Sequence, residues 1–270
     1  MAQSKPASVR AVSESVALVV QRWLDAPEVT EALAGARAAI DELLWRRDIR
    51  AQAASVSAFS RIRGAHDSAA MEGADIAAAE NSPMGRVVAA AAALTGEVPA
   101  LVDVWGKAPL QALARLHAVA AHEHLPAEKL GRPRVDIETA DDPLSLGTAP
   151  SALAASKRLT LLADVASVPT EVPALLVAGI VHAELVSARP FAWGSGLLGR
   201  AAVRLVLASR GVDPSLFSVP ESGMMNVGRP AYVRALRSYE NGEVDRYLIW
   251  FAQVVASGAQ SASAGVPGQP

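Results

Sequence analysis

The stretch Ala188-Arg189-Pro190-Phe191-Ala192-Trp193-Gly194-Ser195-Gly196-Leu197-Leu198-Gly199-Arg200 decides the reading of this chain, because it joins two strongly apolar segments, 171–187 and 196–210. Both segments read as core helices, so a tight glycine-bearing turn lies between them. A loop ending in Gly194-Ser195-Gly196 and feeding a helix is physically an anion site. Its glycines let successive backbone N–H groups turn toward one point, and the positive end of the helix dipole reinforces them. Two glycines are a weak signal by themselves, since the same residues also serve a plain helix–helix corner.

Outward from that turn, helical patterns dominate. Val16, Val19, Val20, Trp23 and Leu24 share one helix face, and Ala26-Pro27 closes that segment. Leu33, Ala36, Ile40, Leu43 and Leu44 mark a long helix over 28–51; 55–64 continues weakly, and a break is expected at 65–73. Helices are expected again over 76–90, up to a break at Thr95-Gly96-Glu97-Val98-Pro99, and over 109–122. Then 125–150 carries Pro126, Gly131, Pro133, Pro143, Gly147 and Pro150 with little periodicity, which predicts a long loop with a short hairpin near 132–137. After it come 152–165, the two segments already named, and amphipathic helices over 230–239 and 244–256. Residues 1–10 are expected to fray, and the small polar residues 257–270 to form a disordered tail. The partition that follows is a helical extension over 1–95, a core over 96–256 and the tail.

Composition supports an all-α fold. Of 270 residues, 51% are hydrophobic but only 4% aromatic, so alanine, valine and leucine carry the core, which suits closely packed helices. Twenty-five basic against 27 acidic residues give a net charge of −2, leaving no global field to recruit nucleic acid or an anionic membrane. The absence of cysteine excludes disulfides, thiolate chemistry and Cys-based zinc sites, and fits a cytoplasmic protein. Lys5, Arg10 and Glu14 interrupt the N-terminal stretch, so no export leader is expected, and the apolar run 172–181 is too short to span a bilayer.

Two separated motifs then resemble one family. His182-Ala-Glu-Leu-Val-Ser-Ala-Arg189-Pro190-Phe191-x-x-Gly194-x-Gly196-x-x-x-Arg200 resembles the signature of Fic (Fido-fold) proteins, His-Pro-Phe-x-(Asp/Glu)-Gly-Asn-Gly-Arg-x-x-Arg, with a further histidine seven residues earlier. Ser68-Ala-Ala-Met-Glu72-Gly73 is similar to the family's inhibitory pattern, (Ser/Thr)-x-x-x-Glu-(Gly/Asn), and Tyr232-x-x-Ala235-Leu236 with 247–251 resembles its continuation. The resemblance covers about 28–256 and implies a Fic-like helical core with an N-terminal inhibitory helix and a flap, hairpin or loop, drawn from 125–150. It implies an activity as well: transfer of a nucleotide monophosphate, usually AMP from ATP, to a protein hydroxyl, by a general base, a metal and a ring of phosphate ligands.

The chemical positions are the ones that differ. Where the family has its histidine base stands Arg189, whose guanidinium stays protonated and cannot accept a proton. Trp193 stands at the acidic metal ligand, so no metal ligand is assigned and magnesium loses its anchor. Ser195 replaces the phosphate-contacting asparagine, and Leu197 the first arginine. Arg189, Gly194, Ser195, Gly196 and Arg200 remain as the phosphate-binding set, with ATP or another nucleotide the implied ligand. By the resemblance, Ser68, Glu72 and Gly73 are inhibitory, and Glu72 is expected to pair with Arg200, bidentate geometry being open to arginine. Arg189 serves equally as a phosphate ligand or as a space-filler bonding helix-end carbonyls.

Three functions follow. The first is a degenerate, catalytically impaired Fic protein that binds a nucleotide or phosphate ligand in a regulatory role. The second is a working transferase in which Arg189 and Arg200 hold phosphates and Glu184 or His182 takes the proton. A structural interaction protein, with a protein partner or a second copy of itself, is the third. His182 lies in a very apolar helix and reads first as a satisfied core residue. His117, His122 and His124 lack the four-residue separation of a zinc helix, and the mixed charges of 46–50 read as a solvated face.

Overall fold

The computed structural model describes the backbone of residues 7–264, and among these there is no strand. The elements are α1 (Ala7–Leu24), α2 (Pro27–Trp45), α3 (Arg47–Ala51), α4 (Ala53–Met71), α5 (Pro83–Trp105), α6 (Pro109–Ala121), α7 (Ala152–Ala166), α8 (Ala174–Ala188), α9 (Ser195–Ser209), α10 (Pro220–Asn226), α11 (Arg229–Glu240) and α12 (Val244–Ala264). The expected fraying of 1–10 is replaced by helix from Ala7 onward; 1–6 lie outside the described residues.

At the centre stand α8 and α9, packed on each other as the long apolar runs require. Every residue of α8 except Glu184 is buried, and every residue of α9 except Ser209. A helix apolar all round is stable only when surrounded. Here α7 and α12 lie against α8, and α4, α5 and α6 against α9, while α2 packs along α12.

Two buried arginines rivet α4 to α9. Arg204 donates to both Glu221 oxygens (Nε–Oε1 2.7 Å, Nη2–Oε2 2.8 Å), to Ser60 Oγ at 2.9 Å and to the Ser60 carbonyl at 3.0 Å. Arg200, one turn earlier, repeats the pattern on Ser68, bonding its Oγ at 2.8 Å and its carbonyl at 3.1 Å. These tethers explain why the break expected at 65–73 does not occur. The helix continues to Met71 because Ala65, Asp67, Ser68, Ala69 and Met71 all face the core, and it stops at Gly73, whose φ of 88° no continuing helix adopts.

Three other boundaries move for physical reasons. The break expected around Pro99 is absent, because Leu94, Val98, Leu101 and Trp105 bury one face of α5, and that packing outweighs a penalty of about 3 kcal/mol for an internal proline. The 95/96 division therefore falls inside a helix. At its other end α5 begins at Pro83 rather than 76, where Ser82 Oγ accepts the Gly85 N–H at 3.0 Å. At the C-terminus, 257–264 is helix and not disordered tail. Ala259 and Ala262 are buried, and Gly258 lies so close to α10 that a Cβ would stand 2.3 Å from the Val219 carbonyl oxygen. Residues 265–270 of that expected tail lie outside the described residues.

Among the described residues one helix, α5, is long and apolar enough to cross a membrane by length and composition, with mean hydropathy 1.6 over its best window. In the fold it lies against α4, α6 and α9.

Candidate functional site

The turn between α8 and α9 is built by an unusual backbone and a flap. Helix α8 ends at Arg189, a non-glycine residue held in the left-handed region (φ 45°, ψ 60°), and its N–H closes on Leu185 O at 3.2 Å. Gly194, at φ 76°, turns the chain into α9. Between them, Phe191 stacks on His117 at 4.3 Å and Trp193 on His124 at 3.7 Å. The histidine group that invites a zinc reading thus props the loop: His117 Nδ1 accepts the Gly131 N–H at 2.9 Å, and burial lowers its pKa to about 4.

The segment 125–150 lies over this turn without forming the hairpin expected at 132–137; its one regular element is a 3-10 turn, Ala127–Lys129. Hydrogen bonds to the loop hold it in place of a strand ladder. Arg134 N–H donates to Pro190 O at 2.9 Å, Asp141 N–H to Ala192 O at 3.0 Å, and Arg134 Nε to Arg189 O at 2.8 Å. Arg134 Nη2 also bonds the Pro150 carbonyl.

Five charged side chains meet where the flap covers the turn, Glu72, Arg189 and Arg200 from beneath and Asp141 and Asp142 from the flap itself. Glu72, the C-cap of α4, pairs with Arg200, and both are buried. The contact runs through one carboxylate oxygen rather than the bidentate fork expected, because Arg200 spends Nε and a share of Nη2 on Ser68. Burial works against the Arg200 charge, but Glu72 and Tyr232 more than offset it, so its pKa is raised. Arg189 faces the flap: Nη1 lies 3.2 Å from Asp142 Oδ1 and Nη2 donates to Gly147 O at 2.8 Å. It therefore bonds flap groups and not helix-end carbonyls. Asp141 Oδ2 accepts the Gly194 N–H at 3.0 Å. Burial pushes the Asp141 carboxyl up to about 7, the Gly194 N–H and Arg189 opposing it and Glu72 and Asp142 adding to it.

The space left among Glu72, Asp141, Leu144, Arg189, Ser195 and Gly196 is about 10 Å³, room for a single water at most. A Cβ on Gly196 would stand 2.2 Å from Glu72 Oε1, so a side chain there would displace that carboxylate from Arg200. Ser195 Oγ and Arg189 Nε are buried with no hydrogen-bond partner in the protein.

The structure brings Ser68, Glu72, Gly73, Arg189, Gly194, Ser195, Gly196 and Arg200 to one region, and sends both substitute bases elsewhere. His182 is fully buried between two tyrosines, with Nδ1 2.7 Å from Tyr247 Oη and Nε2 2.8 Å from Tyr232 Oη. Tyr247 O–H donates to Gly179 O at 3.1 Å, so Nδ1 carries the imidazole proton and Nε2 accepts the Tyr232 hydroxyl, whose oxygen in turn accepts from Arg200 Nη1 at 3.3 Å. Burial, aided by Arg200, lowers the His182 pKa to about 3. The ring is a neutral strut behind Arg200. Glu184 is held by Arg158 (2.7 and 3.1 Å) and Tyr239 (2.5 Å) at a separate cavity of about 240 Å³ bordered by Val16, Val20 and Leu162.

Asp141, Asp142 and Arg134 are what sequence reasoning missed. The available signal was an acidic dipeptide in a proline- and glycine-rich loop of unusual length.

No family model matches the sequence, and no curated protein matches it. Solved structures do. A Fic family protein from Desulfovibrio desulfuricans G20 superposes with a TM-score of 0.67 over 88% of this chain and 75% of its own, at 18% identity. Fic-1 from C. elegans gives 0.68 over 87% and 72%, at 15% identity. The chain has the Fic fold. In this fold Arg189, in the left-handed region, closes α8, and Trp193 stacks on His124. Among the described residues there is no group of three or more metal-ligating side chains placed to hold an ion.

Proposed function

We propose that this chain is a Fic-fold protein impaired in nucleotidyl transfer, which binds a phosphate-bearing ligand, a nucleotide foremost, in a regulatory role in the cytoplasm. The observation that carries the reading is the state of the α9 N-terminus. Its donor nest retains Gly194 and Gly196, and it keeps two buried groups without partners, Ser195 Oγ and Arg189 Nε, beside the cation Arg200. Buried polar groups are normally satisfied, and unsatisfied ones gathered at one nest are suited to an anion. The residues of that nest have no proton acceptor suited to catalysis at the base position, since Arg189 stays charged.

Glu72 holds Arg200 in the manner expected of an inhibitory glutamate, so the ligand competes with an internal carboxylate. Calorimetry with ATP, GTP and the nucleoside diphosphates tests this, comparing the natural chain with Glu72→Gly. Heat in Glu72→Gly, lost when Arg200→Met is added, is the expected result. No heat in either chain would instead favour a structural protein with a permanently closed cleft. Labelled ATP with lysate covers the transferase: label passing to protein from the Glu72→Gly variant would overturn the impaired reading.

A further inference from the structure

Glu72 reaches the turn from α4, and a second carboxylate, Asp141, reaches it from the flap. Asp141 Oδ2 takes the N–H of Gly194, at the head of the fifteen-residue helix α9, while its own backbone N–H bonds Ala192 O, so the residue grips the loop from both sides. Its neighbour Asp142 pairs with Arg189 and also accepts the N–H groups of Leu146 and Gly147, at 2.8 and 2.9 Å. Arg189 completes the clasp by donating to Gly147 O. In this way the flap supplies one carboxylate to the backbone nest and one to the buried cation beside it. Those are the two kinds of group that an incoming phosphate would use.

We propose that Asp141 is a second internal stand-in for an anion, which fills the donor nest of α9 and holds the flap shut, so that a phosphate ligand enters only when both Glu72 and Asp141 withdraw. The inference rests on the ligand-binding reading above and adds its regulation. Two facts favour a releasable plug over a permanent cap. Ser195 Oγ stays without a partner in the cavity wall, so Asp141 satisfies the nest only in part. The flap itself has no helix or ladder beyond Ala127–Lys129, and a handful of side-chain and backbone bonds hold it, as in segments of low local stability.

The test uses the full chain and inorganic pyrophosphate at pH 8, above the value of about 7 to which burial pushes the Asp141 carboxyl, so that the group is ionised. Four proteins are titrated by calorimetry, the natural chain, Glu72→Gly, Asp141→Ala and the double variant, and amide exchange is followed across 138–147 without ligand. Exchange in that segment should rise at least tenfold in Asp141→Ala while α8 and α9 stay protected, and the double variant should bind pyrophosphate at least tenfold more tightly than Glu72→Gly. Asp141→Asn, which keeps the shape and removes the charge, should strengthen binding in the Glu72→Gly background in the same direction and guards against a folding defect in the alanine variant. If Glu72→Gly binds and neither Asp141 substitution strengthens it, the gating role of Asp141 is overturned while the ligand-binding reading stands. No heat from any of the four overturns that reading, and the gating role with it.

Discussion

Replacing Arg200 by methionine removes a fully buried guanidinium that donates to Glu72, to Ser68 Oγ and O and to Tyr232 Oη. The variant leaves the Glu72 carboxylate, whose side chain is only 6% exposed, without a counter-charge. Breaking a buried pair from one side costs about 3–5 kcal/mol, because the surviving charge keeps its desolvation penalty and loses its compensation. Against a total stability of about 5–15 kcal/mol this is a large fraction. At roughly 2–4 °C per kcal/mol for a domain of this size, the melting temperature should fall by about 10 °C. Glu72→Gln should cost less, since Arg200 keeps Ser68 and Tyr232. The double variant should recover part of the loss, giving a coupling of about 2 kcal/mol or more in a urea-denaturation cycle. A coupling under about 0.5 kcal/mol, the range of exposed ion pairs, would refute the claim that this contact organises the cleft.

Further outcomes are checked by simpler means. Gly64→Ala would place a Cβ 2.3 Å from Arg204 Nη2 and 2.8 Å from Glu221 Oε2, so it should cost about 1–3 kcal/mol in urea melts, and wild-type stability would show that the rivet yields easily. Gly258→Ala meets the Val219 backbone at 2.3 Å and should destabilise by a similar amount; an unchanged midpoint would mean that α12 does not dock on α10 there. Asp141 sets a pH dependence. Its folded pKa, about 7, lies above the ordinary 3.8, so between those values the folded state retains a proton that the unfolded state has lost, and stability falls as pH rises through the window, by at most about 4 kcal/mol. The urea midpoint difference between pH 5 and 8 should shrink in Asp141→Asn; an identical difference would remove Asp141 as its source. The groups facing Asp141 are Glu72, Asp142 and Arg189, with the Gly194 N–H, and of these only the carboxylates add to the effect.

Helix α8 was legible as the central element because all of its residues but Glu184 suit a core, which leaves it nowhere to sit but the centre, whereas α9 carries Arg200 and Arg204 and is buried only because Ser68, Ser60 and Glu221 receive them. The link between Glu72 and Arg200, 128 residues apart, was legible only through the resemblance of their two segments to one family's motifs. Helix ends were legible less often. Propensity marks Thr95-Gly96 and Pro99 as a break, and the small residues after Ala256 as a tail, yet burial against neighbouring helices extends both segments. Local chemistry is a weak term when a whole face is buried.

What the sequence by itself determined is the list of parts: an all-helical core and a glycine turn at the head of a helix, with Arg189 and Trp193 in that turn. Residue identity alone decides those points, because no surrounding fold makes a guanidinium a base or gives an indole an oxygen. Tertiary structure decided which charges meet. Glu184 and His182 lie on the same helix as Arg189, yet one faces Arg158 at another cavity and the other is locked between tyrosines, while Asp141, from a loop without periodicity, takes the Gly194 N–H. Spacing along a chain assigns a face to a helical residue, but it assigns nothing to a loop residue, whose partner is set by where the rest of the molecule holds it. The Ala188 to Arg200 turn is thus a glycine corner feeding a helix by sequence and, by structure, one whose Gly194 N–H is taken by Asp141.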